Sequence, residues 1–146
     1  METSKLTQEN HAKIPDLSDD SVETLYSTGY ELYRNGKYED AKAFFKMLTL
    51  IDPSLRRNWM GLGACQQMLK EFESATTSYG IAAVIDPDDP YVHWHAADCF
   101  LQSGEKDKAI ATLSSAIIVA KQQHEHLSLV SKLELLHTIW RSDPIE

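Results

Sequence analysis

The chain has 146 residues, 42% of them apolar, and a formal net charge of −8. That length suits a single domain with apolar material enough for a continuous core. The charge is spread along the chain with no basic stripe, so nucleic acid is excluded as an expected partner. No stretch approaches the roughly 18 apolar residues of a membrane span. The first 21 residues are polar and acidic, without the apolar core of a signal peptide. A cytosolic protein with no direct membrane binding is expected.

In chain order, residues 1–21 read as an N-terminal segment, flexible or at most a short helix around Leu6–Ala12 that Pro15 closes. Asp20 and Glu23, three residues apart, resemble a capping pair opening the first long helix. Helices are then expected over 21–35, 38–51, 55–69, 72–85, 90–103, 106–121 and 125–141. Asn35-Gly36, the Asp86-Pro87-Asp88-Asp89-Pro90 run and Ser103-Gly104 supply turns between them. The last expected helix carries Leu127, Val130, Leu133, Leu136 and Trp140 at amphipathic spacing. Residues 142–146, with Pro144, are expected to fray.

These helices repeat. Ala41, Ala75 and Ala109 stand 34 residues apart, and Gly29 falls on Gly63, Phe45 on Tyr79, Ile51 on Ile85 and Asp52-Pro53 on Asp86-Pro87. A fixed period of about 34 residues marks tetratricopeptide repeats, each a helix–turn–helix. The expected fold is therefore an all-α solenoid of three repeats, 22–55, 56–89 and 90–123, followed by a capping helix over 124–141 that covers the apolar face of the last repeat. Within each repeat, position 8 (Gly29, Gly63, Ala97) and position 20 (Ala41, Ala75, Ala109) are small and let the paired helices approach. Position 4 (Leu25, Trp59, His93) and position 24 (Phe45, Tyr79, Leu113) fill space between repeats. Pro53 and Pro87 at position 32 stop the second helix. Lys121 replaces that proline in the third repeat, so its second helix is expected to run longer. Cys65 and Cys99 share position 10 and are expected to be small buried packing residues rather than a disulfide, a nucleophile or metal ligands.

Stacked repeats turn their first helices toward an inner, concave face. Positions 2, 5, 9 and 12 lie on one helical stripe there. They hold Glu23, Tyr26, Tyr30 and Tyr33, then Arg57, Met60, Ala64 and Gln67, then Tyr91, Trp94, Asp98 and Leu101, with Tyr38 near the same rim. This is a groove with aromatic and methionine walls and a few polar groups, suited to proline rings and extended segments. Packing between repeats is the competing role for Tyr26, Tyr30, Tyr33 and Trp94. A carboxylate clamp of the kind that grips chaperone C-termini needs Lys, Asn and Arg at groove positions that here hold Tyr26, Tyr30, Gly61, Tyr91 and His95, so that chemistry is absent.

His93 and His95 are two residues apart and point to different sides of a helix, as do His124 and His126. No i,i+4 histidine pair exists, and neither a glycine-rich phosphate loop nor a G-x-S-x-G elbow occurs. The expectation is no enzyme, no metal and no cofactor.

The runs Leu25-Tyr26-Ser27, Asn35-Gly36-Lys37-Tyr38-Glu39-Asp40-Ala41, Gly61-Leu62-Gly63-Ala64-Cys65-Gln66-Gln67 and His95-Ala96-Ala97-Asp98-Cys99-Phe100-Leu101-Gln102 occur in one order and spacing. Over roughly 22–121 the chain resembles the class II chaperones of bacterial type III secretion, typified by the low-calcium-response H proteins. The resemblance implies a bacterial cytoplasmic chaperone of membrane-inserting translocators, with three repeats and a closing helix. Its concave groove would hold an extended translocator segment of Pro-x-Leu-x-x-Pro type and keep the client soluble until secretion. The family's groove aromatics correspond to Tyr26, Tyr33, Tyr38 and Trp94. The resemblance further implies a homodimer formed through an N-terminal Gly-Gly-containing helix, a pattern that residues 1–20 do not show. In some members it also implies action with a transcription activator. The alternative function is a general tetratricopeptide adaptor that bridges partners already soluble alone.

Overall fold

A computed structural model describes residues 17–142. Its helices are α1 (Asp19–Arg34), α2 (Tyr38–Ile51), α3 (Arg56–Met68), α4 (Phe72–Ile85), α5 (Pro90–Gln102), α6 (Lys106–Lys121) and α7 (Leu127–Ser142), with a single 3-10 turn at His124–His126 before α7. The described residues contain no strand. The short helix expected around Leu6–Ala12 and residues 143–146 lie outside the described residues.

Local chemistry sets the helix ends. Ser18, not Asp20, caps α1: its Oγ accepts from the Ser21 N–H at 3.3 Å, so the helix starts at Asp19. Asp20 falls inside the first turn, where a negative charge still favours the helix dipole. The closing helix also differs from expectation. It begins with the 3-10 turn, Leu127 is 56% exposed, and the buried stripe is Leu129, Val130, Leu133 and Trp140. Ser142 is the last helical residue rather than the start of a frayed tail. As the replacement of proline by Lys121 predicts, α6 outruns α2 and α4 at its C-terminal end, with 16 residues against 14.

All three repeats close their first helix the same way. The N–H groups of Gly36, Lys70 and Gly104 donate to Tyr33, Gln67 and Leu101, while those of Lys37, Glu71 and Glu105 reach back to Leu32, Gln66 and Phe100 at 2.8–2.9 Å. This Schellman arrangement needs a left-handed residue in the middle. Gly36 and Gly104 supply it with φ of 76° and 84°, but Lys70 adopts φ 61° with a side chain attached. Replacing Lys70 by glycine should therefore raise unfolding stability by about 0.5–1 kcal/mol, the relief of left-handed strain exceeding the entropy lost by the freer unfolded chain. A urea titration that shows no gain would mean that the Lys70 side chain makes good the strain.

The core comes in three clusters, each joining the second helix of a repeat to the first helix of the next. Ala41, Phe45 and Leu48 of α2 meet Leu62 and Cys65 of α3. Ala75, Tyr79 and Ala82 of α4 meet Val92 and Cys99 of α5. Leu113, Ala116 and Ala120 of α6 meet Leu129, Val130, Leu133 and Trp140 of α7. In packing terms α7 is thus a fourth first-helix. The small residues at position 8 serve the pairing of the two helices within a repeat: a Cβ added at Gly63 would lie 2.8 Å from the Tyr79 ring. His93, which departs from the repeat pattern, keeps its function. Its Nε2–H donates to the Pro87 carbonyl at 3.2 Å, as the Trp59 indole N–H does to Pro53 at 2.8 Å. Pro87 O can only accept, which fixes the His93 tautomer.

Candidate functional site

The first helices, α1, α3 and α5, carry the groove stripe, and the side chains on it gather into two aromatic groups at its ends. At the α1 end, the Arg57 guanidinium lies 4.2 Å from the centroid of the Tyr26 ring and pairs with Glu23. This pairing lowers the Glu23 carboxyl below its usual range, chiefly through the hydrogen bond from Arg57. Tyr26 stacks on Tyr30 at 6.5 Å and meets the Phe45 ring edge-on at 5.9 Å. Tyr33 and Tyr38 touch edge-to-face at 5.4 Å across the first turn, and burial raises the Tyr33 hydroxyl pKa.

At the α5 end, Tyr91 stacks on Trp94 at 6.2 Å and Trp94 on His95 at 6.4 Å. His95 in turn stacks on Tyr79 at 5.5 Å. Desolvation lowers the His95 pKa, with Asp89 pulling the other way, so the ring is neutral at pH 7. Between these two groups lie Met60, Ala64 and Gln67 of α3, with Asp98 and Leu101 of α5. Gln67 Oε1 accepts from the Tyr79 hydroxyl at 2.9 Å, which leaves its amide N–H groups available.

Exposure separates surface from wall. Tyr30 is 48% and Tyr91 42% exposed, whereas Tyr26, Tyr33, Tyr38, Met60 and Trp94 are half-buried. Tyr26 and Tyr33 pack on the first core cluster, Met60 on the second, and Trp94 and Leu101 on the third. Tyr26, Tyr33 and Trp94 therefore pack on the core while keeping part of their surface exposed on the stripe.

The same helical spacing continues beyond the three repeats. Lys132 of α7 places its Nζ 5.1 Å from the centroid of the Trp94 ring. It stands 34 residues after Asp98, so continuing the period past residue 123 finds it. The same step takes Leu101 to Leu135, which is 62% exposed. The closing helix thus adds a cation and an apolar side chain to the stripe.

The cysteines are fully buried, and desolvation pushes the thiols up to about 11 for Cys65 and about 12 for Cys99. Both stay protonated at neutral pH and are poor nucleophiles and ligands. Among the described residues no three His, Cys, Asp or Glu groups are placed to hold a metal ion, and no helix is long and apolar enough to cross a membrane. Ser114 and His137 meet at 2.9 Å, but the Ser114 hydroxyl also donates to the Ile110 carbonyl at 3.0 Å. With its one proton so engaged, this serine is a helix-side hydroxyl rather than an activated nucleophile.

The tetratricopeptide-repeat family models match residues 22–55 and 70–133. Low calcium response locus protein H of Yersinia pestis is 38% identical over 119 residues, covering 80% of this chain and 71% of that protein. PcrH of Pseudomonas aeruginosa, crystallised with the chaperone binding region of PopD, aligns with a TM-score of 0.83 at 35% identity over 88% of this chain and 97% of that one. The chaperone SycD of Yersinia enterocolitica, in complex with a peptide of the translocator YopD, aligns with a TM-score of 0.79 at 34% identity over 86% and 96%. The all-helical repeat architecture agrees with this similarity. The chain belongs to the tetratricopeptide-repeat family of type III secretion translocator chaperones that low calcium response locus protein H and SycD represent.

Proposed function

We propose that this protein is a chaperone of the bacterial cytoplasm that holds a membrane-inserting translocator by an extended segment, of Pro-x-Leu-x-x-Pro type, lying in the concave groove. The observation that carries this reading is the pair of aromatic groups at the two ends of the stripe, each ending in a half-exposed tyrosine, Tyr30 and Tyr91. Stiff rings of this kind present large contact area at small entropic cost and suit proline and leucine side chains. Holding the client masks apolar segments that would otherwise aggregate or enter a membrane early. Binding of about micromolar to high-nanomolar strength leaves release possible.

Because Tyr33 and Trp94 are also core, truncating them would confound binding with stability. Tyr30 and Tyr91 avoid this. The Tyr30→Ala/Tyr91→Ala double variant should lose about 1–3 kcal/mol of client binding with only a small fall in the unfolding midpoint, from the ring stacking on Tyr26 and Trp94 that it removes. Co-expression with the translocator of the same secretion system, followed by fractionation and titration calorimetry, reads both quantities. Wild type should keep the client in the soluble fraction. A client that pellets equally with and without the chain would reject the chaperone reading and favour an adaptor of partners already soluble.

A further inference from the structure

Asp98 occupies the middle of the stripe, one turn from Trp94 on one side and from Leu101 on the other, and it is partly buried. Among the described residues no hydrogen bond or ion pair reaches its carboxylate. Several cations of α2, α3 and α7 are engaged elsewhere. Arg57 pairs with Glu23, Lys42 with Glu39 and Glu71, Arg56 with Asp86 and Asp89, and Lys132 lies over the Trp94 ring. A half-desolvated carboxylate without a partner costs free energy in the unliganded protein. Its neighbours are neutral: Trp94 and Leu101 one turn away on α5, and Tyr79, close enough to feel its charge, whose hydroxyl is committed to Gln67.

We propose that Asp98 is a specificity-determining residue of the groove and receives a lysine or arginine side chain carried by the extended client segment. The inference rests on the groove reading above and adds a charge requirement to it. An incoming cation would meet a carboxylate in a partly dry setting, where a charge-assisted hydrogen bond is about twice as strong as a neutral one. The stem of a lysine or arginine would lie along the same aromatic walls. Desolvation raises the Asp98 pKa, with no cation contributing, as expected of a site that waits for its partner. A carboxylate whose folded pKa lies above its unfolded one loses stability as pH rises through the folded value, so at neutral pH Asp98 is a net cost to the fold.

The probe is the chaperone binding region of PopD as a fluorescent peptide, together with copies that carry lysine, norleucine or glutamate at each position in turn. Anisotropy titration against the whole chain should find one register at which lysine tightens binding about tenfold over norleucine and glutamate weakens it. In Asp98→Asn the lysine and norleucine copies at that register should bind alike, and the variant should melt at a higher temperature than wild type at pH 7. A lysine gain that survives Asp98→Asn, the absence of any such register, or a lower melting temperature in the variant would each overturn the proposal. If neither the unsubstituted PopD region nor the translocator of the same secretion system binds wild type, the groove reading falls with it. If that region binds but lysine brings no gain, only the role of Asp98 falls.

Discussion

Replacing Gly61 by valine should lower the unfolding free energy by about 3 kcal/mol or more, although helix propensity alone favours valine over glycine by a few tenths of a kcal/mol. The opposing effect is steric. A Cβ at Gly61 would run into three atoms of the Phe45 ring, a contact closer than real Cβ atoms tolerate. The ring has nowhere to go: it is 2% exposed, Tyr26 meets it edge-on at 5.9 Å, and the Gly29 backbone lies against its far edge. Valine adds two further methyl groups at the same point, so the rings and helices of the first two repeats must separate. Chemical denaturation of four proteins tests this: wild type, Gly61→Val, Phe45→Leu and the double variant. Phe45→Leu alone should cost on the order of 1–2 kcal/mol by leaving space. In the Gly61→Val background the same change should stabilise, because it removes the obstacle. Additive effects would mean that the two residues do not share the space, and the packing account of the α2–α3 junction would be wrong.

Much of this architecture is legible in the sequence because one period governs both helices and turns. The 34-residue spacing places Ala41, Ala75 and Ala109 in equivalent slots, and each is fully buried. It also places the left-handed turn residues, including Lys70, where composition alone would not suggest one. Helical spacing within a repeat places the proposed stripe on one face of each first helix, since residues three and four apart share a face. What spacing does not carry is distance between helices. Gly61 sits at an undistinguished position of the repeat, and its role follows from where the Phe45 ring of the preceding repeat ends. The double duty of Tyr26, Tyr33 and Trp94 is hidden for the same reason: a stripe position states a direction, not how deep the neighbours stand. The α1 cap expected at Asp20 falls instead on Ser18, because a serine two residues earlier is an equally good acceptor and the backbone path puts it at the helix start. Lys132 lies one period after Asp98 but past residue 123, where the third repeat ends and the proline that marks a repeat boundary is replaced by Lys121.

Leu133→Ala should cost about 2–5 kcal/mol, and the loss should fall unevenly along the solenoid. Leu133 is fully buried in α7 and packs with Leu129, Val130 and Trp140 into the cluster that covers Leu113, Ala116 and Ala120 of α6. Because α7 takes the place of the next repeat's first helix, α6 has no helix to cover it among the described residues besides its own partner α5. In a repeat array each unit leans only on its neighbours, so weakening the last interface should open α7 and α6 before it reaches α1 and α2. Hydrogen exchange on the Leu133→Ala variant should therefore show protection lost most in residues 106–142 and least in residues 19–51. Leu135→Ala, on the same helix but 62% exposed, should change stability by no more than about 0.5 kcal/mol. The groove should feel the Leu133 substitution as well, since Lys132 over Trp94 is held there by α7. Equal loss of protection in every helix would show that the three repeats and α7 unfold as one cooperative unit, and the nearest-neighbour description of this solenoid would have to be abandoned.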